Sequence, residues 1–276
     1  MKTWRLFWER ISKKRETDRS LGKTAMEDRL EVAGIALTHQ GKVRENNEDV
    51  ALVRKGVCGM LCVVADGMGG HVGGERASRL ACEAVERAWE AGDLSVELVA
   101  AVERMVLDAD RAICESARLE PQYYGMGTTL TLGVIQGAGL YFAHVGDSRL
   151  YLLRRGVLTQ LTEDHTQIQQ LVNLGHLTAE EARHSPYRHQ LNQALGLSMD
   201  LEICSGEKRL HSGDRLLFCS DGLYEMVGGE ELARLLGDAA SPGEAGERLV
   251  GAANYEGGRD NISVVAVFAE REELNG

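Results

Sequence analysis

The chain has 276 residues, 43% of them hydrophobic, 26% charged and 3 of them proline, enough for one large or two small globular domains. Its net charge of −11 is uneven: residues 1–23 hold eight Lys and Arg against three acidic residues, a local +5 that leaves −16 for the remainder. Such an acidic body excludes nucleic acid as the main partner, because a phosphate backbone needs a basic footprint, and it is compatible with divalent cations.

Residues 1–30 are polar, basic and peripheral. Within them Trp4, Phe7, Trp8 and Ile11 fall at i, i+3, i+4 and i+7, one face of a helix flanked by Lys2, Arg5, Arg10, Lys13, Lys14 and Arg15. That face suits docking on an anionic membrane or an acidic partner, or packing on the body of the protein. From Val32 the patterns predict a strand over Val32–Thr38, another after Glu48 and Asp49, and a third over Met60–Ala65. Helices follow over Glu75–Glu90, with Ala77, Leu80, Ala81, Ala84, Val85 and Ala88 at helical spacing, and over Ser95–Leu119. Then come strands over Thr128–Ile135, Leu140–Val145 and Arg149–Leu153. An insert from Glu163 to Asp200 is less apolar, with a helix over Glu163–Leu174. Strands over Leu201–Glu207 and Arg215–Cys219, helices over Glu230–Leu236 and Gly243–Asn254, and a strand over Ile262–Phe268 complete the chain. Strands cluster rather than alternate with helices, which favours an α+β fold of antiparallel sheets with helices outside.

Six cysteines (Cys58, Cys62, Cys82, Cys114, Cys204, Cys219) form neither C-x-x-C nor a zinc ladder, and most lie in apolar runs. Reduced core thiols and a cytoplasmic location are expected. No stretch reaches the roughly 18–20 apolar residues that span a bilayer. The N-terminus lacks the apolar run of a secretory signal.

Carboxylates recur at the ends of predicted strands. Asp66 follows "LCVVA", Asp221 follows "LLFCS", Asp147 stands between two strands, Asp260 precedes the last, and Glu48 and Asp49 precede "VALV". Convergent carboxylates repel unless protons or cations neutralise them. Oxygen donors without a His or Cys ladder suit Mg²⁺, Mn²⁺ or Ca²⁺. Glycine after Asp66 would let the chain turn sharply there and bring the Gly67 carbonyl near a cation. A helix starting near Glu75 would aim its N-terminus at the same place. An Asp-Gly pair is, however, more often a simple turn, and spacing alone leaves both readings open. The glycines fit no nucleotide-binding loop: the position that would need Lys after Gly74 is Glu75.

The ordered set "VRENNED", "VVADGMGGHVGGE", "GMGTTL", "HVGDSRLYLL", "LTEDH", "CSDGL" and "RDNISVV" closely resembles the metal-dependent protein phosphatase family of type 2C in its compact bacterial form. The resemblance runs from about Val32 to Phe268. Each motif alone is weak, but seven in order are specific.

The resemblance implies a four-layer α-β-β-α sandwich over residues 31–270, two central antiparallel sheets flanked by helices, with residues 163–200 as a flap beside the groove. It implies Mn²⁺ or Mg²⁺ as cofactor, two core ions and a third, weaker one. Asp66 resembles the bridging carboxylate, with the Gly67 carbonyl on one ion and Asp221 and Asp260 on the other. Asp49 resembles a residue that orients water, with Glu48 beside it as a ligand or as a neighbour one step out. Asp147 resembles a ligand of the third ion, and Arg44 the arginine that holds the substrate phosphate. His71 is a general acid or a loop-structuring residue. Two cations would lower the pKa of a shared water and stabilise charge during in-line displacement at phosphorus. No cysteine heads the C-x₅-R loop that thiol-based phosphatases need.

His144 is expected as a packed strand residue, His165 as a support for the insert, and Thr128 and Thr129 as structural hydroxyls. Arg183, His184, Arg188 and His189 are read as solvated surface rather than as phosphopeptide contacts. The function implied is a serine/threonine protein phosphatase, monomeric, acting on phosphorylated proteins made by a Ser/Thr kinase. A pseudophosphatase scaffold is the alternative from another class; it would show a lost carboxylate or arginine, and every one is present. A phosphatase of small metabolites is the third reading.

Overall fold

The computed structural model describes residues 30–57, 59–69, 73–92, 97–183 and 185–271. The expectations for residues 1–23, His71 and His184 lie outside the described residues.

Apolar runs in the central strands are continuous because both faces of those strands are covered. In the strand β3 (Gly59–Met68), Met60, Cys62 and Val64 pack between two sheets, whereas Leu61, Val63 and Ala65 pack under helices. The last strand, β11 (Ile262–Arg271), divides the same way: Val265 and Val267 face the second sheet, and Ile262, Val264, Ala266 and Phe268 face helices. The period of two therefore survives as a choice between two apolar layers.

The remaining strands are β1 (Leu30–His39), β2 (Asp49–Gly56), β4 (Gly127–Thr128), β5 (Leu130–Gln136), β6 (Gly139–Val145), β7 (Arg149–Arg154), β8 (Val157–Gln160), β9 (Cys204–Arg209) and β10 (Asp214–Cys219). One sheet has the order β1-β11-β10-β7-β8, the other β2-β3-β5-β6-β9 with β4 paired to β3, and the paired strands run antiparallel. Helices α1 (Gly73–Ala91) and α2 (Leu98–Leu119) cover the outer face of the second sheet. After the short α3 (Gln167–Asn173), α4 (Ala179–Arg183) and α5 (Asp221–Tyr224), helices α6 (Gly229–Asp238) and α7 (Pro242–Tyr255) cover the first. The result is the expected α-β-β-α sandwich.

Helix ends follow local chemistry. Helix α1 stops at Gly92, whose φ of 68° suits a left-handed cap. Helix α7 opens with Ser241 accepting from the Glu244 amide at 3.2 Å, while the Glu244 carboxylate accepts from the Ala240 amide at 2.7 Å. The expected helix Glu163–Leu174 begins only at Gln167. Asp164 is taken by Arg149, the His165 amide bonds the Gly146 carbonyl, and Thr166 caps the helix. The expected strand Leu201–Glu207 forms as Cys204–Arg209, set by pairing with β6. Strand β8 escaped the sequence pattern, since its residues alternate between exposed and half-buried.

Cys62, Cys82 and Cys219 are buried, as expected of core thiols; Cys204 is half-buried, and Cys114 is exposed. Among the described residues no helix is long and apolar enough to cross a membrane.

Candidate active site

The strand β3 does not end at Asp66. It continues through Gly67 and Met68, which pair with Thr128 and Gly127 of β4. Gly67 is therefore no turn. A Cβ there would lie 2.1 Å from the Gly74 carbonyl oxygen, so the glycine permits the first turn of α1 to press on the strand. Gly74 meets the reverse demand, since a Cβ would stand 2.8 Å from the Glu48 carboxyl carbon and from the Gly67 backbone. The helix starts at Gly73, two residues before the expected Glu75, because these small residues are needed inside its first turn. Gly222 after Asp221 answers a similar constraint, since a Cβ there would lie 1.9 Å from the Asn261 carbonyl oxygen.

Asp66 is fixed by the threonines of "GMGTT". The Thr129 hydroxyl accepts from the Asp66 amide at 3.0 Å, and the Thr128 hydroxyl and Thr129 amide both donate to the Asp66 carbonyl at 2.9 Å. Their expected structural role is thereby met. Asp49 stands opposite Asp66 in the β2–β3 register.

Asn261 ties the segment 40–48 to the start of β11. Its amide donates to the carbonyls of Gln40 and Asn46 at 2.9 and 2.8 Å, and its side-chain oxygen accepts from the Glu48 amide at 2.9 Å. This carries Arg44 to Asp260, with Nη2 2.6 Å from Oδ2. On the other side, the Tyr224 hydroxyl donates to the Asp147 carbonyl at 3.0 Å, and the Arg149 guanidinium lies 3.6 Å above the Tyr224 ring. Arg149 also grips Asp164 with bonds of 2.9 and 2.6 Å. His144 is a packed residue as expected, with Nδ1 2.8 Å from the Thr131 hydroxyl and burial pushing its pKa down to about 3. His165 supports the insert through backbone bonds to Gly146 and Asn192.

The carboxylates converge on a cleft of about 700 Å³ lined by Arg44, Glu48, Asp66, Gly67, Asp147, Asp221 and Asp260, with residues 191–194, 197 and 198 of the insert on its wall. Asp49 lies just behind, 6% exposed. The Ser220 hydroxyl donates to Asp49 Oδ2 at 2.7 Å, and the Ser263 amide donates to Ser220 Oγ at 3.0 Å. Burial first, then the neighbouring Asp221 and Asp260, pushes the Asp49 carboxyl up to about 7, against the lowering effect of its serine bonds. Burial and the neighbouring Asp260 raise Asp221 to about 6. Asp66 is driven well above the usual carboxylate range by burial and by four other aspartates, and Asp147 by burial and Asp221.

Glu48 Oε1, Asp49 Oδ1 and Asp221 Oδ1 are buried without a hydrogen-bond partner. Orphaned carboxylate oxygens in a crowd of like charge fit a hard divalent cation, which would satisfy the lone pairs and offset the repulsion.

Of the residues read as solvated surface, His189 lines the cleft and Arg188 stands behind it. Arg188 bonds Glu225 at 2.8 Å. His189 faces both Asp221 and Glu225, each at 3.8 Å. Ser220, Glu225 and Asn261 were not singled out by sequence; only the position of Ser220 and Asn261 beside Asp221 and Asp260 pointed to them.

An α-β-β-α sandwich with carboxylates gathered at one end of its sheets fits the family that the sequence motifs resemble. The chain belongs to the protein phosphatase 2C family, whose sequence model matches residues 38–250. It is 41% identical over 234 residues to the serine/threonine protein phosphatase PstP of Mycobacterium tuberculosis, a match spanning 83% of this chain and 43% of that protein. The chain thus spans under half the length of that relative. It is 34% identical over 234 residues to the serine/threonine phosphatase stp of Listeria monocytogenes, spanning 83% of this chain and 93% of the relative. The solved catalytic domain of PstP in complex with two manganese ions matches with a TM-score of 0.77 and 37% identity, covering 87% of this chain and 99% of that one.

Proposed function

We propose that this chain hydrolyses phosphoserine and phosphothreonine in protein substrates, using Mn²⁺ or Mg²⁺. The observation that carries this reading is the carboxylate cluster with its three orphaned buried oxygens, those of Glu48 and Asp221 at the cleft and that of Asp49 just behind it. Asp66, the Gly67 carbonyl, Asp221 and Asp260 would hold two core ions, and Asp147 would serve a third. When bound, the ions lower the pKa of water and offset the charge that builds on phosphate oxygens.

The protein's own groups supply the rest. Asp49, anchored by Ser220, accepts a hydrogen bond and so fixes the direction from which water approaches. Arg44 presents a planar guanidinium that pairs with two phosphate oxygens. The insert narrows the cleft with Leu191, Ala194 and Leu197, and selects among phosphorylated segments by shape. His71 gives a proton to the departing oxygen or shapes its loop. The substrates are products of a Ser/Thr kinase, the protein acts as a cytoplasmic monomer, and residues 1–23 either dock it on a membrane or partner or pack on its own body.

The test is hydrolysis of an aryl phosphate and of a phosphothreonine peptide with and without Mn²⁺. Activity that depends on the ion and vanishes with chelator is expected. Full turnover by thoroughly metal-stripped protein overturns the reading.

A further inference from the structure

The insert brings one imidazole to the carboxylates. His189 is 43% exposed, and its Nδ1 lies 3.8 Å from Asp221 Oδ2. One donor atom from each of Asp147, His189 and Asp221 falls within 4.8 Å of the others. A gap of 3.8 Å is too long for a hydrogen bond. It matches the separation of two donors on one ion: atoms each about 2.1 Å from a cation stand roughly 3–4 Å apart.

Two further observations point the same way. Asp221 Oδ1 is buried without a partner, and Asp147, 6% exposed, faces the same cleft. The other ring nitrogen of His189, Nε2, faces Glu225 Oε2 at 3.8 Å. Glu225 is itself held by Arg188, at 3.1 and 2.8 Å to the same oxygen. Glu225 thus stands on the side of the distal nitrogen from which a carboxylate can orient a metal-binding histidine, although at 3.8 Å no hydrogen bond joins the two.

We propose that His189 is the nitrogen ligand of the third, weaker cation site, completing it with Asp147 and Asp221. The proposal rests on the phosphatase reading above and extends it. Its chemical consequence is selectivity: an imidazole donor favours Mn²⁺ over Mg²⁺, whereas a site of carboxylates and water alone is suited to Mg²⁺. Its structural consequence is that the ion bridges the insert to the sandwich, so occupancy of the site and position of the insert are linked.

The test uses the full chain, stripped of metal and titrated with Mn²⁺ by calorimetry, with pulsed electron paramagnetic resonance reading ¹⁴N coupling at each stage. Two tight ions and one weaker ion are expected, the weaker one with nitrogen coupling. In His189→Ala that coupling disappears and the weaker site loses about tenfold or more in affinity, while the tight sites stay intact. His189→Gln serves if the alanine variant fails to fold, and should lose the coupling likewise. Unchanged third-site affinity in either variant, coupling that survives it, or a third ion without nitrogen coupling in the parent protein overturns the assignment. A parent protein with no tight Mn²⁺ sites overturns the phosphatase reading instead.

Discussion

Arg44 and Asp260 are bonded to each other, Nη2 to Oδ2 at 2.6 Å, although the sequence motifs assign one to phosphate and the other to a cation. The guanidinium and a cation are therefore competitors for one carboxylate. Arg44 is half exposed, so it can swing from Asp260 to an incoming anion at little cost.

Arg44→Ala should raise KM for a phosphopeptide by about tenfold or more, the loss expected when a charge-assisted contact is removed. Affinity for Mn²⁺ should stay level or rise, because a competing positive charge has gone. Steady-state kinetics and metal calorimetry on the same preparation separate the two effects. Lost metal binding with unchanged KM would move Arg44 to the metal site.

The metal-free protein should lose stability as pH rises. Asp49 at about 7 and Asp221 at about 6 both lie above the usual carboxylate value near 4. The folded state thus holds more protons than the unfolded state between about pH 4 and 7. The stabilisation is fully present below that window and is lost as pH rises through it. Thermal unfolding in chelator at pH 5 and pH 8 reads the difference, and added Mn²⁺ should close it. Asp66→Asn should raise the chelated melting temperature at pH 8 while removing nearly all activity, since it relieves repulsion and deletes a ligand together.

Gly74→Ala should be far more damaging than an alanine in a helix usually is. The new methyl would meet Glu48 and the Gly67 backbone, both at 2.8 Å. Overpacking of this kind costs about 1–3 kcal/mol. Chemical denaturation should show that loss, and Mn²⁺ affinity should fall because Glu48 and Gly67 move. A variant as stable and as metal-competent as the parent would remove the case for close packing here.

Asp147→Asn should spare the two tight ions and lower turnover. Asp147 reaches the cleft from the β6–β7 connection, apart from the β2–β3 pair that carries Asp49 and Asp66. Calorimetry that shows loss of a tight site would transfer Asp147 to the core pair.

Strand positions were legible because their signal is one-dimensional. Met60–Ala65 and Ile262–Phe268 are apolar at nearly every residue, and such a run of buried neighbours admits few readings. The acidic residues were legible as strand-end features, and the family motifs gave their roles. What sequence misjudged was the purpose of Gly67, which looks like a turn residue and is a contact residue. A close approach between residues 67 and 74 depends on how α1 lies on β3, and no local pattern encodes that. His189 was illegible for a similar reason. Between Arg188 and Gln190 it has the composition of solvated surface, and only the fold of the insert brings it to Asp221.

The burial of the cysteines has a consequence for life under oxidants. Oxidation begins at the thiolate, and burial holds Cys62, Cys82 and Cys219 in the thiol form, with Cys219 pushed up to about 12. None of the described cysteines lines the cleft; the exposed Cys114 lies on α2. Peroxide, which silences phosphatases that attack with sulfur, meets no reactive thiol at the described walls of this cleft. The proposed metal centre would therefore keep its chemistry while thiol enzymes around it are shut down.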